Sequence, residues 1–200
     1  MRHLHQYLDP ASQRALLWEI RAVIAEAPLF TPTMPRTGKP FSVAMTNCGR
    51  LGWVSDKTGG YRYQETHPVT GEPWPGMPEL ISQIWRKLVD YPALPEACLI
   101  NFYTPDARLG LHRDEDEQDF SAPVISVSLG ASARFRVGGL KRRDPTQSIV
   151  LGSGDVVILE RQSRLVYHGV DRILPGNDGL VEEGGRFNLT LRRVNPPNLN

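Results

Sequence analysis

Val124-Ile125-Ser126-Val127-Ser128-Leu129 carries the strongest fold signal in the chain. Its apolar residues alternate with serines, which is the period of a β-strand that buries one face. Similar short runs follow one another between about residues 96 and 194, separated by turn signals such as Gly138-Gly139. The other runs cover residues 99–103, 134–137, 148–151, 156–160, 165–170 and 187–193. We therefore expect this part of the chain to form an antiparallel jelly roll, also called a double-stranded β-helix.

Two helices are predicted to precede these strands. Asp9 is a suitable N-cap with Pro10 at the first helical position, and apolar residues then recur at helical spacing. The second helix is predicted to begin near Pro78 and to end before Pro92. The segment 28–40 is rich in proline and should be a loop. The expected fold class is therefore α+β and mainly β, with the helices packed outside the jelly roll.

Length and composition limit the class of protein. The chain has 200 residues, 40% of them hydrophobic and 22% charged, which suits a single globular domain spanning residues 1–200. No apolar run is long enough to cross a bilayer, and residues 1–9 lack the apolar region of a signal peptide. We expect a cytoplasmic protein with no membrane contact and no obligate protein partner. Cys48 and Cys98 should then be free thiols.

The charge is unevenly distributed along the chain. A net charge of +1 does not by itself mark a nucleic-acid binder. Basic residues concentrate in one stretch and acidic residues in another: Arg134, Arg136, Lys141, Arg142, Arg143, Arg161, Arg164 and Arg172 in the first, and Asp114, Glu115, Asp116, Glu117 and Asp119 in the second. The basic stretch is equally compatible with phosphate contacts and with simple exposure to water. Acidic runs of this kind are usually solvated loops.

His112-Arg113-Asp114 places an imidazole and a carboxylate two positions apart. In an extended chain both side chains point to the same side and can meet one ion. His168, near the end of a predicted strand, is a reasonable third donor, and two histidines with one carboxylate form the facial triad of non-haem Fe(II) oxygenases. The same spacing also arises by chance, and an isolated histidine is more often structural. Spacing alone is therefore compatible both with a metal site and with a chance arrangement that includes a structural histidine.

The segment Arg186-Phe187-Asn188-Leu189-Thr190-Leu191-Arg192 divides its side chains between two faces. The apolar residues share one face, which should be core, and the polar residues share the other. The polar face could be exposed to water, as is common in antiparallel sheets. Inside a barrel, however, the two arginines would need anionic partners, and a dicarboxylate could supply them through bidentate contacts.

Together these motifs resemble the AlkB family of DNA and RNA alkylation-repair dioxygenases, in its bacterial branch. The resemblance runs from about Phe41 to Arg193. Its further motifs are Met45-Thr46-Asn47-Cys48-Gly49, Leu51-Gly52-Trp53, Pro73-Trp74-Pro75, Asn101-Phe102-Tyr103, Val127-Ser128-Leu129-Gly130, Gly138-Gly139-Leu140-Lys141-Arg142 and Tyr167-His168-Gly169. The resemblance implies a nucleotide-recognition lid over about residues 41–77 and a jelly-roll catalytic core over about residues 96–194.

The resemblance also implies cofactors and residue roles. His112, Asp114 and His168 would hold Fe(II), and Arg186 would pair with the distal carboxylate of 2-oxoglutarate. The remaining 2-oxoglutarate contacts would come from Asn101, Tyr103, Asn188 and Arg192. The family reaction uses O2 to oxidise an alkyl group on a base nitrogen, as in 1-methyladenine and 3-methylcytosine. It releases an aldehyde, succinate and CO2.

Substrate contacts are implied in the same way. Trp53 would stack on a flipped base, with Tyr61 and Tyr63 lining the same entrance. Asp116 would favour bases that carry positive charge, and Arg142 would help to place the strand. The expected partner is single-stranded or locally opened DNA, with RNA as an alternative.

Two segments depart from the family pattern, and two other functions compete. Thr58-Gly59-Gly60 resembles a small insertion in the lid, and the glycine-rich and acidic segment 176–185 allows no transfer of contacts. One alternative is a 2-oxoglutarate-dependent hydroxylase or demethylase of RNA, protein or a small molecule, because this core serves many substrates. The other is a non-catalytic nucleic-acid-binding module that uses the barrel as a scaffold.

Overall fold

The structure, a computed structural model, describes residues 1–176 and 179–197. Within these residues the helices are α1 (Pro10–Glu26) and α2 (Glu79–Leu88), with short 3-10 turns at Arg161–Ser163 and Glu182–Gly184. The strands are β1 (Arg2–Leu4), β2 (Ala44–Gly49), β3 (Gly52–Asp56), β4 (Gly60–Gln64), β5 (Ala97–Tyr103), β6 (Leu109–His112), β7 (Val124–Gly130), β8 (Ala133–Val137), β9 (Gln147–Leu151), β10 (Val156–Leu159), β11 (His168–Ile173) and β12 (Arg186–Arg192).

Two antiparallel sheets form the body of the molecule. The larger has the order β1-β10-β7-β12-β5-β2, and the smaller has the order β6-β11-β8-β9. One hydrophobic cluster joins the inner faces of both sheets, since it contains Leu99 and Val157 of the larger sheet and Phe135, Leu151 and Val170 of the smaller. This is the predicted jelly roll, and the fold class is confirmed.

The helices cover the outer face of the larger sheet. Leu16 and Ile20 of α1 and Trp85 of α2 belong to one buried cluster with Ile125 and Leu189 of the sheet. Both helices begin where the sequence predicts them, because their start signals are local. The Asp9 Oδ1 atom accepts a hydrogen bond of 2.7 Å from the Ser12 backbone N–H, as expected of an N-cap.

With the helices on the outer face, the polar face of the sheet turns into the barrel. Ser126 and Ser128 of β7 point inward with Arg186, Asn188 and Arg192 of β12, and all but Ser126 are buried. Exposure of this polar face to water, one of the two readings of the sequence, is therefore wrong. The barrel interior is lined on this side by hydrogen-bonding groups.

Several strands differ from the sequence prediction because their limits depend on distant partners. The helices do not precede all strands, since β1 pairs with β10 and β2 pairs with β5. The β3–β4 hairpin forms a sheet of its own, and the predicted insertion 58–60 lies at its tip. The strand predicted at 165–170 lies instead at His168–Ile173, where it pairs with β6 and β8.

Two further expectations can be compared with the structure. Cys48 and Cys98 are free and fully buried, on directly paired positions of β2 and β5, which confirms free thiols. Among the described residues, no helix is both long and apolar enough to cross a membrane. The segment 176–185, for which the family resemblance gives no contacts, includes residues 177 and 178, which lie outside the described residues.

Candidate active site

A cavity of about 860 Å³ opens between the two sheets. Its inner wall comes from the polar face of β12 together with β5 and β7, and its mouth is formed by the β3–β4 hairpin and the segments around residues 108–116 and 136–142. The cavity is lined by eleven of the twelve residues predicted to bind metal, 2-oxoglutarate or substrate: Trp53, Tyr61, Asn101, Tyr103, His112, Asp114, Asp116, Arg142, His168, Asn188 and Arg192. Arg186, the twelfth, lies on the same face of β12 and is fully buried. Tyr63, expected beside Tyr61 at the entrance, is not among the residues that line the cavity.

His112, Asp114 and His168 converge at one point on the cavity wall. Their ligand atoms all lie within 4.8 Å of one another. The His168 Nε2 atom is 3.6 Å from Asp114 Oδ2, and the His112 Nε2 atom is 3.9 Å from Asp114 Oδ1. The register of the smaller sheet causes this convergence, because His168 of β11 is the direct partner of His112 of β6.

The orientation of the two imidazoles suits a metal ion. In each ring Nδ1 lies within hydrogen-bonding distance of a backbone carbonyl, Gly110 for His112 at 2.9 Å and Val166 for His168 at 3.0 Å. A ring that donates from Nδ1 leaves its Nε2 lone pair free for a metal. Asp114 Oδ2 is buried and has no hydrogen-bond partner among the described residues. An orphaned carboxylate oxygen between two free imidazole nitrogens fits a divalent cation.

The electrostatics of the cluster favour the protonation states of metal ligands. Burial and the neighbouring His168 lower the pKa of His112 to about 4, so that its ring is neutral. Burial alone would raise the pKa of Asp114, but the charge of Arg192 and the nearby imidazoles hold it below its ordinary value. Arg192 Nη2 donates to Asp114 Oδ1 at 2.7 Å, which fixes the carboxylate.

Arg186 is a buried cation at the inner end of the same face of β12. Among the described residues it donates to neutral acceptors, namely Ser128 Oγ at 2.6 Å, the Ala131 carbonyl at 3.0 Å and the Leu151 carbonyl at 3.3 Å. Its Nε atom has no partner among the described residues. Burial lowers the pKa of Arg186 to about 10, which leaves it charged at neutral pH. Such a charge favours an anionic partner.

The other predicted 2-oxoglutarate contacts lie along this face. Asn101 is buried, and its Oδ1 atom has no hydrogen-bond partner among the described residues. Asn188 is held by donation to Ser126 Oγ at 2.7 Å, and its own Oδ1 atom accepts from Thr190 at 3.2 Å. Tyr103 is buried, and burial raises the pKa of its phenol. Its hydroxyl therefore remains a neutral hydrogen-bonding group.

Comparison with known proteins agrees with this geometry. The family model of the 2OG-Fe(II) oxygenase superfamily matches residues 1–192. The alpha-ketoglutarate-dependent dioxygenase AlkB homolog of Caulobacter vibrioides is 53% identical over 187 residues, which cover 94% of this chain and 84% of that protein. This chain belongs to the AlkB family of Fe(II)- and 2-oxoglutarate-dependent dioxygenases. It is therefore an enzyme whose cofactor is Fe(II) and whose co-substrates are 2-oxoglutarate and O2.

Other members of the AlkB family are similar over most of the chain. The Escherichia coli alpha-ketoglutarate-dependent dioxygenase AlkB is 43% identical over 183 residues, covering 90% of this chain and 83% of that protein. The solved structure of OsALKBH1 superposes with a TM-score of 0.79 at 31% identity, covering 96% of this chain and 95% of that one. The likeness extends through both sheets of the barrel.

At the mouth of this AlkB-family cavity, Trp53 and Asp116 contact one another. The Trp53 Nε1–H donates to Asp116 Oδ2 at 2.7 Å. Tyr61 stacks on the Trp53 indole, with ring centroids 5.5 Å apart and planes 21° apart, and it is half exposed. Burial raises the pKa of Asp116, although the bond from Trp53 opposes the shift. The two residues predicted to select the base thus form one hydrogen-bonded unit.

The sequence reasoning missed a buried network behind this unit. Glu117 is buried and accepts from Tyr63 of the β3–β4 hairpin at 2.5 Å and from Arg164 at 3.0 Å. Arg192 donates to the Tyr63 hydroxyl at 3.2 Å, so the network reaches the Asp114 carboxylate. The acidic run is not a simple solvated loop, because Asp114 and Glu117 are buried and buried arginines neutralise them.

Arg164 belongs to the basic stretch that could contact phosphate, but the structure places it in the interior. It is buried, and besides Glu117 it donates to the Asp114 carbonyl at 2.8 Å and to the Ala122 carbonyl at 2.8 Å. A five-donor guanidinium in such surroundings supports the loop that carries Asp114. The unbroken acidic run from Asp114 to Glu117 gives no local sign of which of its members are buried.

Arg142 lies at the cavity rim, exposed to solvent. Its guanidinium carbon is 5.9 Å from the centroid of the Tyr167 ring, and that of Arg113 is 5.6 Å from the same ring. The Tyr167 ring thus lies close to two guanidinium groups next to the cavity mouth.

Proposed function

We propose that the protein removes alkyl groups oxidatively from damaged bases such as 1-methyladenine and 3-methylcytosine in DNA, which is direct-reversal repair. The observation that carries this proposal is the hydrogen-bonded Trp53–Asp116 unit at the mouth of a cavity that ends at the three-ligand cluster. An aromatic ring and a carboxylate in one unit suit a flat cationic base.

His112, Asp114 and His168 would hold Fe(II), and Arg186 would receive the distal carboxylate of 2-oxoglutarate. When bound, the iron would oxidise a carbon–hydrogen bond of the alkyl group with the help of O2 and 2-oxoglutarate. The orphaned Arg186 Nε and Asn101 Oδ1 atoms support a polar ligand that extends along β12. Tyr103, Asn188 and Arg192 complete the hydrogen-bonding wall of that pocket. The apolar inner walls limit the access of water to the reacting carbon.

The chain's own residues would select the base by charge and by stacking. The Asp116 carboxylate favours a base with fixed positive charge over a neutral base. Trp53 offers its ring to the base, and for this Tyr61, which now covers one face of the indole, would swing aside. A half-exposed tyrosine can make that movement at little cost.

The finer features of the substrate and the cell location remain proposals. A single-stranded or locally opened strand suits a deep cavity, because the target base must leave the stack. Arg142 would contact the strand at the rim. We further propose a single domain, with a lid over residues 41–77 and a core over residues 96–194. A cytoplasmic location and the absence of an obligate protein partner are predictions from the sequence.

RNA is the second candidate substrate. Among the relatives, the tRNA demethylase abh1 of Schizosaccharomyces pombe is 32% identical over 177 residues, covering 79% of this chain and 57% of that protein. Protein or small-molecule substrates are less consistent with the Trp53–Asp116 unit. Comparing DNA and RNA oligonucleotides that carry the same methylated base distinguishes the two nucleic acids.

The proposal is tested by replacing the three ligands one at a time with alanine. Each variant should lose formaldehyde production from methylated DNA by about 1,000-fold or more, because the reaction depends on the bound iron. Asp90→Asn is the control, since Asp90 is an exposed acid that does not line the cavity and should leave the rate nearly unchanged. Normal formaldehyde yield from any of the alanine variants would refute the assigned iron site.

A further inference from the structure

A second group of metal-ligating side chains lies outside the active site. His3, His5 and Asp155 have ligand atoms within 4.8 Å of one another, and none of the three lines the active-site cavity. His3 lies in β1, His5 directly follows β1, and Asp155 directly precedes β10. The antiparallel pairing of β1 with β10 brings these residues together. The catalytic reaction described above uses none of them.

The three side chains surround one point at the protein surface. The His3 Nε2 atom is 3.0 Å from Asp155 Oδ2, and the His5 Nδ1 atom is 3.1 Å from Asp155 Oδ1. When two atoms bind the same Zn²⁺ at about 2.0–2.1 Å each, the distance between them is roughly 2.8–3.4 Å. This holds when the angle at the ion lies between a right angle and the tetrahedral angle. The observed separations lie in this range, and the one between His3 and Asp155 is also that of the hydrogen bond which an ion would replace.

The fold holds the carboxylate in place. Asp155 is buried, and its Oδ1 atom accepts from the Gln6 backbone N–H at 2.8 Å while its Oδ2 atom accepts from the Gly152 backbone N–H at 3.0 Å. Hydrogen bonds of this kind orient a ligating carboxylate in metal sites. The anchor is therefore rigid before any ion arrives.

The two imidazoles remain accessible. The side chain of His5 is 72% exposed and that of His3 is 27% exposed, so an ion can enter from solvent and the His5 ring can rotate towards it. The position of His5 follows from the chain reversal at Gln6, which adopts a left-handed conformation with φ of 47°. A cluster with one buried carboxylate and two exposed imidazoles has an open side where water can complete the coordination.

We propose that His3, His5 and Asp155 form a second, peripheral site for a divalent first-row transition ion such as Zn²⁺. Imidazole nitrogen with one carboxylate oxygen suits Zn²⁺, Ni²⁺ and Cu²⁺ rather than Ca²⁺ or Mg²⁺, which prefer oxygen ligands alone. The bound ion cross-links the N-terminal strand to the turn before β10. This site is independent of the dealkylation reaction, and it stands whether or not that reaction is the correct one.

The test uses the full-length chain with the iron site disabled by His112→Ala and His168→Ala, so that only the peripheral site is measured. Isothermal titration calorimetry with Zn²⁺ should show one ion per chain. Adding His3→Gln and His5→Gln should weaken this binding by about 100-fold or more, since two of the three ligands are lost. Circular dichroism checks that the variants remain folded.

Two results would overturn the proposal. One is the absence of stoichiometric Zn²⁺ binding in the variant that keeps His3 and His5. The other is equal Zn²⁺ affinity after both histidines are replaced. Ca²⁺ titration of the same variant provides a matched control, because the nitrogen ligands predict that Ca²⁺ binds at least about 100-fold more weakly than Zn²⁺. Comparable affinities for the two ions would also contradict the proposed ligands.

Discussion

Arg186 is fully buried, and among the described residues no carboxylate lies within ion-pair distance of it. We predict that Arg186→Gln raises the KM for 2-oxoglutarate by at least about 30-fold, because removing one partner of a buried charge pair costs about 2–5 kcal/mol. Arg186→Lys should recover part of the loss, since it keeps the charge but not the bidentate geometry. Calorimetric titration of 2-oxoglutarate without O2 measures the binding step directly.

Arg186→Gln must still be folded for that result to count. Its thermal unfolding without co-substrate is the control, and 2-oxoglutarate should raise the Tm of the wild type but not that of the variant. An unchanged 2-oxoglutarate affinity would show that the distal carboxylate binds elsewhere.

Asp116 carries the charge that should select cationic bases. In Asp116→Asn we expect repair of 1-methyladenine to fall about 10- to 100-fold, while 2-oxoglutarate decarboxylation without nucleic acid changes little. Asn keeps a hydrogen-bond acceptor for the Trp53 indole, so the change mainly removes charge. The matched control is Asp90→Asn, which makes the same substitution at an exposed position that does not line the cavity. Equal losses in the two variants would rule out a specific role for Asp116.

The Tyr63 hydroxyl is one of the groups that attach the β3–β4 hairpin to the catalytic core, in addition to the Asn47 side chain, which bonds the Trp53 backbone. Tyr63→Phe should destabilise the protein by about 1–3 kcal/mol, because Arg192 loses an acceptor and the buried Glu117 loses a donor. Hydrogen exchange of the hairpin amides should increase more than that of β12. Tyr61→Phe is the control, since its ring stacking on Trp53 is retained. Equal exchange rates in the two variants would contradict the attachment.

The same elements show what the sequence can and cannot predict. The helices beginning at Pro10 and Glu79 follow from local signals, and so do the alternating strands β7 and β12. The three-residue strand β1 has no pattern of its own, because it exists only through pairing with β10 more than 150 residues away. The start of β11 was misplaced for the same reason, since its pairing with β6 and β8 sets the limit.

Some parts of the candidate site could be predicted from the sequence, and others could not. The spacing of His112 and Asp114 suggested a metal site with His168 as a reasonable third donor, but only the family resemblance assigned Fe(II) to these residues and the distal carboxylate to Arg186. The Tyr63–Glu117–Arg192 network could not be predicted, because it joins three elements that are distant in sequence. Whether a charged residue in the acidic run faces water or an arginine is decided by the tertiary fold.

For the molecule as a whole, the net charge of +1 limits how strongly nucleic acid can bind through phosphate contacts. Among the rim arginines, Arg113 and Arg136 have carboxylate partners, whereas no ion pair is described for Arg108 and Arg142. With about two phosphate contacts, affinity for single-stranded DNA should fall roughly sevenfold between 50 and 200 mM salt. Fluorescence anisotropy measures this slope, and Arg142→Gln should reduce it by about half.

A much steeper salt dependence would indicate a larger basic surface than the described residues provide. A slope unaffected by Arg142→Gln would place the strand on another part of the rim. Lys57→Gln is a suitable control, because Lys57 lies in the hairpin turn and does not line the cavity.

The most direct test follows a short single-stranded DNA with one 1-methyladenine by mass spectrometry. Purified protein is incubated with Fe(II), ascorbate and 2-oxoglutarate, and a reaction without iron serves as the control. We predict iron-dependent conversion to adenine, seen as the mass difference between a methyl group and a hydrogen, with one succinate and one formaldehyde formed per base. Succinate formation without any change in the DNA mass would contradict base dealkylation while keeping the oxygenase.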